Sequence, residues 1–131
     1  MAKIIHSMIR VLQEDRSTAF YNAAFGLTVA DRLDFDSFTL VYLSNPEQQV
    51  ELELTVNKGR TDPYDLGDGY GHLAVSVADV NSEHARMTAA GLGPRKLVDF
   101  NNAGELVARF FFIADPDGYQ IEVVQRGGRF A

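Results

Sequence analysis

One order of local patterns is written twice along this chain, and few folds accommodate such a repeat. Residues from about Lys3 to Val11 alternate as a strand, with His6, Met8 and Arg10 on one face and Ile5, Ser7, Ile9 and Val11 on the other. From about Glu14 to Phe25 the period turns helical, placing Ala19, Phe20, Ala23 and Ala24 on one stripe. Asp15 or Ser17 is the expected cap and Gly26 the expected stop. Three strand patterns follow, Leu27 to Leu33, Phe38 to Leu43 and Val50 to Val56, with a turn cluster at Ser44-Asn45-Pro46-Glu47. Asn57 to Gly71 is rich in Gly, Asp and Pro and reads as a connector.

Then the pattern restarts. His72 to Val77 reads as a strand, and Asp79-Val80-Asn81-Ser82 supplies capping residues. A helix is expected from about Ser82 to Ala90, ending at Gly91. Strands are expected at Pro94 to Val98, Val107 to Ala114 and Tyr119 to Val124, with turns at Asn101-Asn102-Ala103-Gly104 and Asp115-Pro116-Asp117-Gly118. Ala24-Phe25-Gly26-Leu27 echoes Ala89-Ala90-Gly91-Leu92 at an offset of 65, against 66 between His6 and His72. The reading is an α+β chain built from two βαβββ modules, about 3–57 and about 70–125, forming a single domain.

Composition removes several classes of function. A net charge of -6 argues against nucleic acid or an anionic membrane, since both want a basic face. Cysteine is absent, which excludes disulfides, thiolate metal sites and a cysteine nucleophile. No stretch approaches the roughly 20 apolar residues of a membrane span, and Met-Ala-Lys-Ile-Ile-His lacks the layout of a signal peptide. A cytoplasmic protein is expected.

The chemistry gathers on the strand faces. Leu73, Val75 and Val77 pack one way, so His72 points the other way beside the small Ala74 and Ser76. Each module begins with a histidine and carries a glutamate on its last strand: His6 with Glu53, and His72 with Glu122. A lone strand histidine is ordinarily a rim or core residue, and Glu51 competes with Glu53 for the same face. Four such residues at repeat-equivalent places point instead to one divalent cation. Two imidazoles and two carboxylates make a neutral shell and leave two octahedral positions open. His84 is expected to face solvent, Tyr119 to pack, and Phe110, Phe111 and Phe112 to divide between core and a cavity or dimer contact.

Several segments are similar to one family: His6-Ser7-Met8-Ile9-Arg10-Val11, Phe20-Tyr21 with Phe25-Gly26-Leu27, Glu53-Leu54-Thr55-Val56-Asn57, Tyr70-Gly71-His72-Leu73-Ala74-Val75-Ser76-Val77, and Asp115-Pro116-Asp117-Gly118-Tyr119-Gln120-Ile121-Glu122. Together they resemble glyoxalase I, the lactoylglutathione lyases of the vicinal oxygen chelate superfamily. The resemblance implies a curved mixed sheet and a lyase that isomerises the hemithioacetal of methylglyoxal and a thiol, glutathione. It implies His6, Glu53, His72 and Glu122 as metal ligands, choosing Glu53 over Glu51. It implies Glu122 as the leading base with Glu53 able to act from the opposite face. Arg10 and Asn57 match positions that contact glutathione. The short chain looks like the type that prefers nickel or cobalt, with zinc and manganese as alternatives. The resemblance further implies a homodimer in which each site takes one His–Glu pair from each subunit. Two stretches depart from the family pattern. Asn102-Ala103-Gly104-Glu105-Leu106 carries an acid where the family often has lysine, and Asn57-Lys58-Gly59 replaces Asn-Trp-Gly. Other readings of the same scaffold are an epimerase, an extradiol dioxygenase, or a binding module without catalysis.

Overall fold

The computed structural model describes residues 1–131 and divides into two compact units, Met1–Asp65 and Leu66–Ala131. The first contains β1 (His6–Arg10), α1 (Glu14–Phe25), β2 (Thr28–Asp34), β3 (Phe38–Ser44) and β4 (Glu51–Asn57). The second contains β5 (Leu73–Val77), α2 (Val80–Ala89), β6 (Val98–Asn102), β7 (Glu105–Ala114) and β8 (Gln120–Gln125), then a short 3-10 turn at Gly128–Phe130. Each unit is therefore βαβββ, and each sheet runs in the same order: β1-β4-β3-β2 and β5-β8-β7-β6. Only the first strand of each unit pairs in parallel, β1 with β4 and β5 with β8. The helix after it carries the chain across, as a parallel connection needs. No helix of the chain is long and apolar enough to cross a membrane.

One face of each sheet is buried under its helix. In the first unit Ile9, Val11, Val41, Leu43, Leu52 and Leu54 are buried with Phe20, Tyr21 and Ala24 of α1. The buried stripe on α1 is Ser17, Phe20, Tyr21 and Ala24, which shifts the expected stripe toward Tyr21 and leaves Ala23 exposed. The larger aromatic surface decides which way the helix turns. Gln13, with no side-chain cap, stands where Asp15 or Ser17 was expected. Both of those lie inside the helix; Glu14 and Asp15 put negative charge in its first turn, and Glu14 also accepts from the Arg32 guanidinium at 2.6 and 3.1 Å. Gly26 closes the helix as expected, at φ 66°, with its N–H donating to the Asn22 carbonyl.

In the second unit Phe111, Ile113, Ile121 and Val123 pack with Val80 and Met87 of α2. Asp79 caps α2 by accepting from the Ser82 N–H at 3.0 Å, so the helix starts at Val80, two residues earlier than its pattern suggested. The strand expected at Pro94 to Val98 lies instead at Val98–Asn102. Ala103 and Gly104, with φ of 52° and 82°, make a two-residue hairpin corner that fixes pairing from Asn102–Glu105 backwards. Pro94 has no N–H to give a ladder, and ahead of β6 Arg95 donates its N–H to the Phe112 carbonyl of β7 at 2.8 Å. His84 is also not free in solvent: Nε2 lies 2.7 Å from the Arg95 carbonyl and the ring meets Phe111 edge-on at 5.0 Å.

The turn before β8 is built around Asp115. Its Oδ1 accepts from the N–H groups of Asp117 and Tyr119, both at 2.9 Å, and Gly118 takes φ 96°. That turn sets the β7–β8 register in which Phe112 stands opposite Glu122.

Candidate metal centre

Strand parity places the chemistry on the face away from each helix. In the first unit β1 and β4 pair His6 with Glu51, Met8 with Glu53 and Arg10 with Thr55. Partners in register point the same way, so His6, Arg10, Glu51, Glu53 and Asn57 share one face. Of the two glutamates, Glu53 is the one brought to His6, with Oε2 at 3.6 Å from Nε2. Glu53 is the more buried, 9% exposed, and a carboxylate so placed needs partners. In the second unit Ala74 stands beside Glu122, and His72 lies one residue before β5. His72 Nε2 is 2.8 Å from Glu122 Oε2. The relation is the same in both units: each glutamate lies two residues beyond the one level with the histidine.

An imidazole nitrogen and a carboxylate oxygen converging this closely are two Lewis bases. A proton or a cation must lie between them for the approach to be favourable. Ligand atoms about 2.1 Å from one ion, at right angles, stand about 3 Å apart, a spacing that the observed 2.8 and 3.6 Å bracket. The donor set of each pair thus fits a divalent cation. No group of three or more such residues gathers within the chain, and the four residues form two separate pairs, one in each unit.

Aromatic rings lean on both histidines. Tyr42 meets His6 edge-on at 5.9 Å, and Phe112 meets His72 edge-on at 5.2 Å. Tyr42 stands opposite Glu53 across β3 and β4. Interaction with the neighbouring Glu53 carboxylate, with burial second, holds the Tyr42 phenol above its ordinary range. Of the phenylalanine run, Phe111 is fully buried, whereas Phe110 and Phe112 lie on the Glu122 face.

Asn57 ends β4 and accepts a hydrogen bond from the Tyr64 hydroxyl at 2.9 Å. The Arg60 guanidinium covers the Tyr64 ring at 4.3 Å. Tyr42 and Tyr64 were not among the residues the sequence pointed to. Tyr42 shares its position in the third strand of its module with Phe112, yet in an apolar strand it reads as packing. Tyr64 lies in a connector without periodicity.

The model of the Glyoxalase/Bleomycin resistance protein/Dioxygenase superfamily matches residues 3–123. The lactoylglutathione lyase of Haemophilus influenzae is 34% identical over 128 residues, covering 94% of this chain and 92% of that one. The trypanothione-dependent glyoxalase I of Leishmania major is 35% identical with a TM-score of 0.77, covering 95% and 87%. Glyoxalase I from Zea mays is 30% identical with a TM-score of 0.84, over 96% of this chain and 45% of the maize chain.

Proposed function

The chain belongs to the Glyoxalase/Bleomycin resistance protein/Dioxygenase superfamily, and from that membership we propose a glyoxalase I activity. The enzyme isomerises the hemithioacetal of methylglyoxal and glutathione to the lactoyl thioester. One observation carries the reading: two His–Glu pairs in equivalent register, in a chain about a third identical to lactoylglutathione lyases along almost all of its length. No comparable support exists for an epimerase, a dioxygenase or a binding module.

A divalent cation held by His6, Glu53, His72 and Glu122 supplies Lewis-acid stabilisation for negative charge developing on neighbouring substrate oxygens. Nickel or cobalt is the metal we favour, and imidazole with carboxylate also accommodates zinc or manganese. Glu122 takes the proton from the carbon beside the carbonyl and returns it to the neighbouring carbon. Glu53 is the second carboxylate able to act, from the opposite face. Arg10 offers a bidentate guanidinium to a carboxylate of the thiol. The Tyr64 hydroxyl occupies the Asn57 carbonyl, so that amide presents its N–H groups to the peptide bonds of glutathione.

A single domain of two repeats, about 3–57 and about 70–125, goes with this reading. So does a homodimer in which His6 and Glu53 of one subunit share an ion with His72 and Glu122 of its neighbour. A cytoplasmic compartment suits a substrate whose thiol must stay reduced.

The test is thioester formation from methylglyoxal and glutathione, run with nickel, cobalt, zinc and manganese. A parallel arm replaces glutathione with trypanothione, the thiol of the Leishmania relative. That arm is informative because Glu105, near the β6–β7 corner, disfavours a substrate carboxylate and suits a cationic thiol. Turnover with glutathione is expected. No turnover with either thiol and any of the metals contradicts the proposal.

A further inference from the structure

The repeat continues four residues beyond each His–Glu pair, and there the two units place a guanidinium on different strands. Arg10 follows His6 by four residues and Ser76 follows His72 by four; Asn57 follows Glu53 by four and Arg126 follows Glu122 by four. Strand parity puts Arg10, Asn57 and Ser76 on the ligand face of their sheets. In the first unit the guanidinium belongs to the first strand, with an amide on the last. In the second it stands just past the last strand, with a hydroxyl on the first. Although β8 ends at Gln125, the Arg126 N–H donates to the Val77 carbonyl at 2.8 Å and keeps that residue beside β5. Gln125 secures the same end from the helix side, accepting from the Val80 N–H at 2.9 Å and donating to the Ala78 carbonyl at 2.7 Å. The Arg126 side chain reaches Ser76, with Nε 3.4 Å from Oγ and Nη2 3.3 Å from the carbonyl oxygen, which places it on the ligand face too.

We propose that Arg126 is a second carboxylate-binding residue of the site, so that a thiol with a carboxylate on either side of its sulfur is held by one guanidinium from each unit, Arg10 at one end and Arg126 at the other. The inference rests on the glyoxalase reading, in which the two His–Glu pairs share one ion. In that reading each pair brings its own guanidinium, and the two-fold repeat sends them to opposite ends of a bound thiol. Glutathione has this shape, with a carboxylate on its glycine end, another on its γ-glutamyl end and the cysteine between. Four residues of strand set Arg126 about 13 Å from Glu122 along the sheet. That is on the order of an extended tripeptide, about 10 Å, so the guanidinium meets the end of the thiol and not its reacting centre. A chain of net charge -6 repels a dianion unless cations stand where the anion docks. A carboxylate offers the guanidinium two parallel charge-assisted bonds, stronger than long ones to a hydroxyl and a carbonyl.

The experiment uses the nickel-loaded full chain and three thiols as methylglyoxal hemithioacetals. These are glutathione, its glycine-carboxyl ethyl ester, and γ-aminobutyryl-cysteinylglycine, which lacks the glutamyl carboxylate. Binding of S-methylglutathione is read by calorimetry beside KM, kcat and the thermal midpoint. Arg126→Gln is expected to raise KM for glutathione about 5- to 10-fold and to weaken S-methylglutathione by the same factor, the lower end for a charge-assisted bond because the residue is exposed. The midpoint and kcat stay near wild type. With one of the two analogues Arg126→Gln is expected to change KM less than twofold, and with the other Arg10→Gln does the same. Wild-type turnover beside an Arg126→Gln variant whose KM and binding stay within twofold for glutathione overturns this inference and leaves the glyoxalase reading standing. A KM raised equally for all three thiols, or both variants sparing the same analogue, overturns it too. Wild-type protein with no turnover overturns the reading and the inference together.

Discussion

Glu122→Gln is expected to lower turnover by about 10²- to 10⁴-fold, the range over which a positioned general base accelerates proton transfer. The substitution preserves shape. An amide occupies the same volume on β8, and the apolar neighbours Ile121 and Val123 stay on the opposite, helix-covered face. The fold therefore survives, and a thermal melt is expected close to wild type. On the proposed mechanism the amide loses the ability to accept a proton from carbon, and it no longer presents an anionic oxygen beside His72 Nε2, which lies 2.8 Å from Glu122 Oε2. Metal content measured on the same sample separates these two losses. A variant that keeps its metal and loses turnover locates the defect in proton transfer. Activity within tenfold of wild type removes Glu122 from that role.

Phe111→Ala carries the largest expected cost in stability, about 3–5 kcal/mol by chemical denaturation. Phe111 is fully buried on the helix-covered face of β7, among Ile113, Val123 and Met87 in the same unit, and supports the His84 ring. The cavity left by its ring cannot collapse while β7 remains paired on both sides, with β6 and with β8. Phe112→Ala is the informative contrast. Phe112 is only half-buried and faces Glu122, so its truncation is expected to cost far less stability and to act on catalysis instead. Equal destabilisation by both substitutions contradicts the assignment of faces along β7.

Much of this was legible in the sequence, for reasons that can be named. Strand parity is a property of single residues, so the faces of His6, Glu53 and His72 followed directly from apolar alternation. Glu122 is harder because Ile121, Val123 and Val124 surround it, and its face follows only from its β7 partner, Phe112. The β6 strand was misplaced because its register is fixed from the far side, by the Ala103-Gly104 corner and not by its own residues, all of them exposed. His84 was misread because charged neighbours in sequence say nothing about Arg95, eleven residues on, whose carbonyl it reaches. Tyr42 escaped for a related reason. A tyrosine in an apolar strand reads as packing until the residue opposite it is known, and that residue is Glu53.

The most direct measurement of the central claim is a metal titration read as turnover. Protein freed of metal by a chelator is given nickel in increments, with methylglyoxal and glutathione present, and thioester formation is followed. The account predicts no turnover in the metal-free protein and a linear rise that ends at one ion per set of His6, Glu53, His72 and Glu122. His72→Ala is predicted to abolish the high-affinity phase. Full activity in the chelated protein, or a nickel requirement untouched by His72→Ala, contradicts it.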